Sequence, residues 1–396
     1  MLNFSNLKSL PLPDNRAGMP PNMAQALALV REGRLQEASD LLMGHSTNGA
    51  APKNEAFRMP PQSGGPVSDL ATRGLAGVRD LLSKLDLGAS PTSEHRSRPG
   101  TQSASEPGRF ERVAFTHHGA SHPYFLYTPK TAAPSGGRPL VLMLHGCTQD
   151  AQDFAQGTRM NATAETAGAL VLYPTQSHSA NAKGCWNWFR PEDQQAGAGE
   201  PALLLAMLKH AMDTQAVDTR RVFVAGLSAG GAMAAVLAQQ HPGVFAAVGV
   251  HSGLPPGAAT NMMGALSAMK SGAKGWSAPP AKGNARAVPM IVMHGDADNT
   301  VHQRNAEQLL QSGISALATT VQTQEKGVSS DDQRYTRTCV VDPAAPDKVV
   351  AEHWLLHGAG HAWSGGDARG SHTSARGVNA SAEMLRFFLA QPSQVA

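Results

Sequence analysis

The segment Val222-Phe223-Val224-Ala225-Gly226-Leu227-Ser228-Ala229-Gly230-Gly231 constrains this chain more than any other. An apolar, β-prone run ends at Gly226, Ser228 follows at a turn, and Gly230 and Gly231 open an Ala-rich run to Gln240 that reads as a helix. A serine between a strand and a helix that pass so closely needs small residues two positions to either side. Its hydroxyl then projects above the sheet edge, and the helix start offers free backbone N–H groups to a nearby negative charge. Gly-x-Ser-x-Gly is a weak signal in a chain with 40 glycines. The flanking strand and helix turn it into a nucleophile elbow.

The rest of the segment 110–392 supplies a sheet for that elbow. Short β-prone runs at 112–117 and 123–127 flank His118-Gly119-Ala120-Ser121, a hairpin signal. Nearly continuous apolar runs follow at 138–144, 169–173, 246–250, 288–293 and 348–356, and helical segments read at 201–212, 303–312 and 380–390. Buried strands alternating with helices predict an α/β fold whose mostly parallel central sheet is flanked by helices on both faces. In such a sheet, ligands gather at the carboxyl ends of the strands.

Three polar groups fall at those ends in the order Ser228, Asp298, His361, the chain order of an α/β-hydrolase. A serine hydroxyl is a poor nucleophile until a neutral histidine takes its proton. A carboxylate then fixes the histidine tautomer and stabilises the imidazolium. Asp298 is favoured as the acid because it lies beyond the strand end, in a loop able to reach the histidine. Asp296, nearer the strand, braces the turn. His361 is favoured over His357 and the strand-embedded His353 because its glycine-flanked loop can approach the elbow. His294 and His145 end strands before glycines and read as loop braces. The tetrahedral oxyanion needs preorganised N–H donors. The fold assigns one to Ala229, after the nucleophile, and one to Cys147, after the strand 138–144.

Cys147 and Cys185 both sit on loops at the same predicted sheet edge. A disulfide between them is open, though unusual in a reducing cytosol. Cys339 reads as a core strand residue. Trp186, Trp188 and Phe189 either line an apolar substrate groove or pack within their own loop, and Trp363 is a further candidate for substrate binding.

Composition excludes several classes. A net charge of +3 in 396 residues gives no electrostatic footprint for nucleic acid. The three cysteines show no zinc-like spacing, and no metal or organic cofactor is expected. No run approaches the length of a membrane span. Residues 1–8 lack a charged start followed by a long apolar stretch, so the protein is expected to be soluble and cytoplasmic. Secretion stays open if the sequence is a processed form. Residues 1–109 read as a partly disordered helical extension. It contains short helices at 23–31 and 35–43, an amphipathic helix at 68–87, and linkers at 44–67 and 88–109 rich in Gly, Ser and Pro.

Five motifs then stand in one order: His145-Gly146-Cys147-Thr148-Gln149, Gly184-Cys185-Trp186-Asn187-Trp188, Gly226-Leu227-Ser228-Ala229-Gly230-Gly231, His294-Gly295-Asp296-Ala297-Asp298-Asn299-Thr300-Val301 and Gly360-His361-Ala362-Trp363-Ser364-Gly365-Gly366. Together they resemble the polyhydroxybutyrate depolymerase family of esterases, over about residues 110–392. The resemblance implies a serine esterase acting on short-chain polyhydroxyalkanoates. It places the nucleophile on Ser228, the acid on Asp298, the base on His361 and an oxyanion donor at Cys147. It also implies pairing of Cys147 with Cys185. Feruloyl and acetylxylan esterases are related members, so a carbohydrate ester is the alternative substrate. A non-catalytic granule protein is the alternative from another class.

Extracellular members carry a signal peptide and a polymer-binding domain, neither of which is visible here. The helical N-terminal extension is similar to that of intracellular relatives. Amorphous granules or soluble polyester oligomers are therefore the expected partners; the apolar stripe of 68–87 either packs against protein, the commoner fate of such a stripe, or helps hold a granule surface.

Overall fold

The computed structural model describes residues 108–278, 287–315 and 317–391. The helices read at 23–31, 35–43 and 68–87, the linker at 44–67 and nearly all of that at 88–109 lie outside the described residues.

The chain enters through β1 (Arg109–Val113), a small hairpin of β2 (Thr116–His117) and β3 (Ala120–Ser121), and β4 (Tyr124–Thr128). Next come β5 (Arg138–Leu144), α1 (Ala151–Thr158), α2 (Met160–Ala167), β6 (Leu170–Pro174) and α3 (Gly199–Thr214). The central strands and helices are β7 (Val217–Leu227), α4 (Ala229–Gln240), β8 (Ala247–His251), α5 (Met262–Ser271), β9 (Met290–Gly295) and α6 (Arg304–Ile314). β10 (Val321–Val328), β11 (Arg334–Asp342), β12 (Ala345–Leu356) and α7 (Ala380–Ala390) close the fold.

Ten strands form one sheet in the order β1-β4-β6-β5-β7-β8-β9-β12-β11-β10. From β6 to β12 every pairing is parallel, and both flanks are antiparallel. The apolar runs are explained by burial on both faces. Along β5, Leu140, Leu142 and Leu144 enter one core, while Val141 and Met143 enter the other. Along β7, Val222 and Val224 are likewise separated from Phe223 and Ala225. Successive side chains of a strand point to opposite faces, so a strand covered on both sides must be apolar throughout. Helices α3 and α4 cover the first face, and α1, α2 and α7 the second.

The strands β10 and β11 form an antiparallel extension beyond β12. Its outer strand, Val-Gln-Thr-Gln-Glu-Lys-Gly-Val, is exposed almost throughout and has no apolar alternation to announce it. Cys339 lies in β11, half-buried, and is a free thiol.

Candidate active site

Ser228 stands between β7 and α4 with φ 56° and ψ −120°. A side-chain-bearing residue held there stores on the order of 1–3 kcal/mol of backbone strain, which the surrounding packing must outweigh. Two contacts hold it. Its N–H donates to the His251 carbonyl at 2.9 Å, and its own carbonyl accepts the first helical bond of α4 from Ala232 at 2.9 Å. The closeness of the chains explains the glycine at 230: a Cβ there would lie 2.1 Å from the Leu144 carbonyl oxygen and 2.4 Å from that of His145.

Asp298, in the loop after β9, is saturated. One carboxylate oxygen accepts the N–H groups of Thr300 at 2.9 Å and Val301 at 2.8 Å, and the other lies 2.7 Å from Nδ1 of His361. Burial alone would raise its pKa, but the hydrogen bond and charge of His361 and the Val301 N–H outweigh this and hold it below the ordinary carboxylate value. The Asp298 side chain is wholly buried and that of His361 is 11 % exposed. Asp296, two residues earlier, belongs to a different pair. It lies 2.8 Å from Nδ1 of His357 and accepts the Gly358 N–H at 2.6 Å. The structure thus brings Asp298 to His361, and leaves Asp296 and His357 bracing the turn after β12. His353 lies within β12, where burial lowers its pKa to about 4.

The loop after β5 stands against the turn that carries Ser228, since a Cβ on Gly146 would lie 3.6 Å from that of Ser228. His145 braces this loop: its Nε2 accepts the Gln176 N–H at 3.0 Å, which places the proton on Nδ1 and makes that atom the donor to the Gly146 carbonyl at 2.8 Å. Gln149 fixes it from the other side. Its Oε1 accepts the Gly146 N–H at 2.9 Å, while its Nε2 donates to Ser371 O at 2.8 Å and to Asp153 at 3.0 Å. Thr148 Oγ1 meets His372 Nε2 at 3.0 Å, so the loop after β5 and the loop beyond His361 are tied directly. Among the described residues, neither the Cys147 nor the Ala229 N–H has a protein acceptor. These are the two N–H groups the sequence reading expects to receive an oxyanion.

Cys147 and Cys185 form a disulfide spanning 38 residues of sequence. The Cys185 loop is held from within by Glu200 at the start of α3. That carboxylate accepts the Asn187 N–H at 2.7 Å and the side-chain amides of Asn187 and Gln176. Burial raises its pKa to about 7 against the lowering effect of these donors.

Of the two readings open for Trp186, Trp188 and Phe189, groove or internal packing, their burial fits packing, and Trp363, the further candidate for substrate binding, is buried as well. The exposures of Trp186, Trp188 and Trp363 are 2 %, 5 % and 0 %. Trp186 and Trp188 pack in the core on the α3–α4 face of the sheet. Trp363 lies in the opposite core, stacked on His251 at 5.3 Å and edge-on to Phe154 at 5.5 Å, with its indole N–H on Ser381. An indole removes a large apolar area from water, and here the loops fold inward to bury it. Gln149 and His251, which contact the loops around Ser228 and His361, and Glu200, which braces the Cys185 loop, were given no role from the sequence. Only Gln149 carried a signal, its place in the motif after β5.

A family model described as Esterase PHB depolymerase matches residues 122–326, more than half of the chain. The chain belongs to that family. Among curated PHB depolymerase relatives it is 34% identical over 196 residues to poly(3-hydroxyalkanoate) depolymerase C of Paucimonas lemoignei, covering 45% of each chain. It is 32% identical over 186 residues to poly(3-hydroxybutyrate) depolymerase of Ralstonia pickettii, covering 44% of this chain and 37% of that one. The chain therefore spans less than half the length of these two depolymerases. Feruloyl esterase B of Thermothelomyces thermophilus is 29% identical over 206 residues, covering 48% of this chain and 70% of that protein. In fold, the chain is similar to an acetyl xylan esterase from Aspergillus awamori, with a TM-score of 0.52 at 19% identity, covering 71% of this chain and 99% of that one.

Proposed function

We propose that this member of the family is a serine esterase that cleaves the ester bonds of short-chain poly(3-hydroxyalkanoates) or their oligomers through an acyl-enzyme. The contact of Asp298 with Nδ1 of His361 carries the reading. It places the imidazole proton on Nδ1 and leaves Nε2 as the base, on a loop that follows a strand of the same sheet as the strained Ser228. Ser228 Oγ attacks the ester carbonyl carbon while Nε2 takes its proton. The oxyanion is received by the N–H groups of Cys147 and Ala229, each worth about 3 kcal/mol of barrier. Collapse breaks the acyl–oxygen bond, and the alcohol leaves with the proton from Nε2. Water, deprotonated by the same nitrogen, attacks the acyl-enzyme, and the hydroxy acid leaves as Ser228 recovers its proton. The nucleophile–base hydrogen bond this step requires is often long in a free enzyme and tightens when substrate binds.

A carbohydrate ester is the second reading, favoured by the likeness to feruloyl esterase B, of which a larger share is covered. The two are separated by incubating the protein with amorphous poly(3-hydroxybutyrate) granules, 3-hydroxybutyrate oligomers, and feruloylated and acetylated xylo-oligosaccharides. Release of 3-hydroxybutyrate acids supports the first. Release of only ferulate or acetate replaces it with the second.

No helix among the described residues is long and apolar enough to cross a membrane. The Cys147–Cys185 bond fits an oxidising compartment, against the cytoplasmic, granule-associated placement expected from the N-terminal residues. Thiol titration of protein recovered from its own cells distinguishes the two.

A further inference from the structure

The proposed nucleophile and base arrive on different strands, so their separation depends on what joins the two loops. His251, the last residue of β8, touches both. Its main chain serves the nucleophile, because its carbonyl accepts the Ser228 N–H at 2.9 Å. Its side chain serves the base, because Nε2 accepts the N–H of Ser364, three residues beyond His361, at 3.2 Å. The Ser364 hydroxyl is also within reach of that nitrogen, at 3.4 Å. The face of the ring stacks on Trp363 at 5.3 Å with 29° between planes. A nitrogen that accepts a backbone N–H carries no proton. The ring proton therefore sits on Nδ1, which donates to Ser252 Oγ at 3.1 Å.

We propose that His251 is a positioning residue that sets the distance between Ser228 and His361, holding one through its main chain and the loop of the other through Nε2. This rests on the triad reading of the preceding subsection. His251 is fully buried, and the titratable groups around it are His294, His361 and Asp298. Burial, reinforced by the two histidines, lowers its pKa to about 3, so the acceptor persists across the working range of an esterase.

The test compares His251→Phe, which keeps a stacking ring but has no acceptor, with His251→Gln, whose amide oxygen can take the Ser364 N–H. Hydrolysis of p-nitrophenyl butyrate is followed with a fluorophosphonate labelling rate on the same samples. His251→Phe is expected to lose about tenfold to a hundredfold in kcat and in labelling rate, with KM nearly unchanged, as for a small misplacement of a reacting group. His251→Gln is expected to recover most of the loss. A folded His251→Phe protein with wild-type kcat overturns the proposal, as does equal impairment of both variants. If His251→Phe fails to fold, imidazole nitrogen NMR of the wild-type protein decides. An unprotonated Nε2 that does not titrate between about pH 5 and 9 supports the proposal, and a protonated one overturns it. Failure of the triad reading is seen separately, as wild-type labelling that survives Ser228→Ala.

Discussion

Nδ1 of His361 lies 2.7 Å from Oδ2 of Asp298, while the neighbouring acid, Asp296, is engaged by His357. Two aspartate–histidine pairs thus stand side by side after β9 and β12, and only one includes the residue in the glycine-flanked loop. Asp298→Asn is expected to lower kcat by about four orders of magnitude, because the amide stabilises the wrong imidazole tautomer. Asp296→Asn is expected to leave kcat within about threefold and to lower the melting temperature instead, since it loses only hydrogen bonds in a turn. Steady-state kinetics and thermal melts on both variants check this. The opposite pattern would move the acid to Asp296.

The Cys147–Cys185 bond closes a long loop onto the residue whose N–H is the proposed oxyanion donor. Chain-entropy arguments give about 4 kcal/mol of stability for a loop of this length. Reduction, or Cys185→Ser, is expected to lower the denaturant midpoint and to reduce kcat by about tenfold or more, with a smaller change in KM, because a displaced donor weakens the transition state. Denaturant titration and kinetics with and without a thiol reductant measure both. Unchanged kcat in the folded, reduced enzyme would separate the disulfide from the oxyanion site.

Glu200 predicts a pH dependence of stability. Its pKa rises from 4.5 to about 7 on folding, because burial disfavours the carboxylate. The folded state therefore keeps a proton that the unfolded state gives up. Its contribution is full below the unfolded value and is lost as the pH climbs from about 4.5 to 7, by about 3 kcal/mol at most. Glu200→Gln, uncharged at every pH, is expected to flatten the decline in unfolding free energy between pH 5 and 7.5. Urea midpoints across that range test it, and identical slopes in the two proteins would contradict the assignment.

The parallel half of the sheet was legible because burial on both faces leaves only apolar residues, as in Leu140–Leu144 and Val222–Ala225. The elbow was legible for a related reason: the approach of Gly230 to Leu144 admits no side chain. The outer strand 321–328 was not, since a strand exposed on both faces has no periodicity of hydrophobicity. His251 was hidden because its role rests on a contact 113 residues away. For Trp186, Trp188 and Trp363 the sequence left the direction undecided, because aromatic residues beside such motifs serve equally as groove or as core, and composition does not say which way a loop folds.

The central claim is that Ser228 is the residue that takes the acyl group. Incubation with a fluorophosphonate, proteolysis and mass spectrometry of the peptide bearing Gly226–Gly231 tests it most directly. The account predicts a single phosphonyl adduct on Ser228, loss of esterase activity in proportion to labelling, and neither adduct nor activity in Ser228→Ala. An adduct elsewhere, or ester hydrolysis that persists in Ser228→Ala, would contradict it.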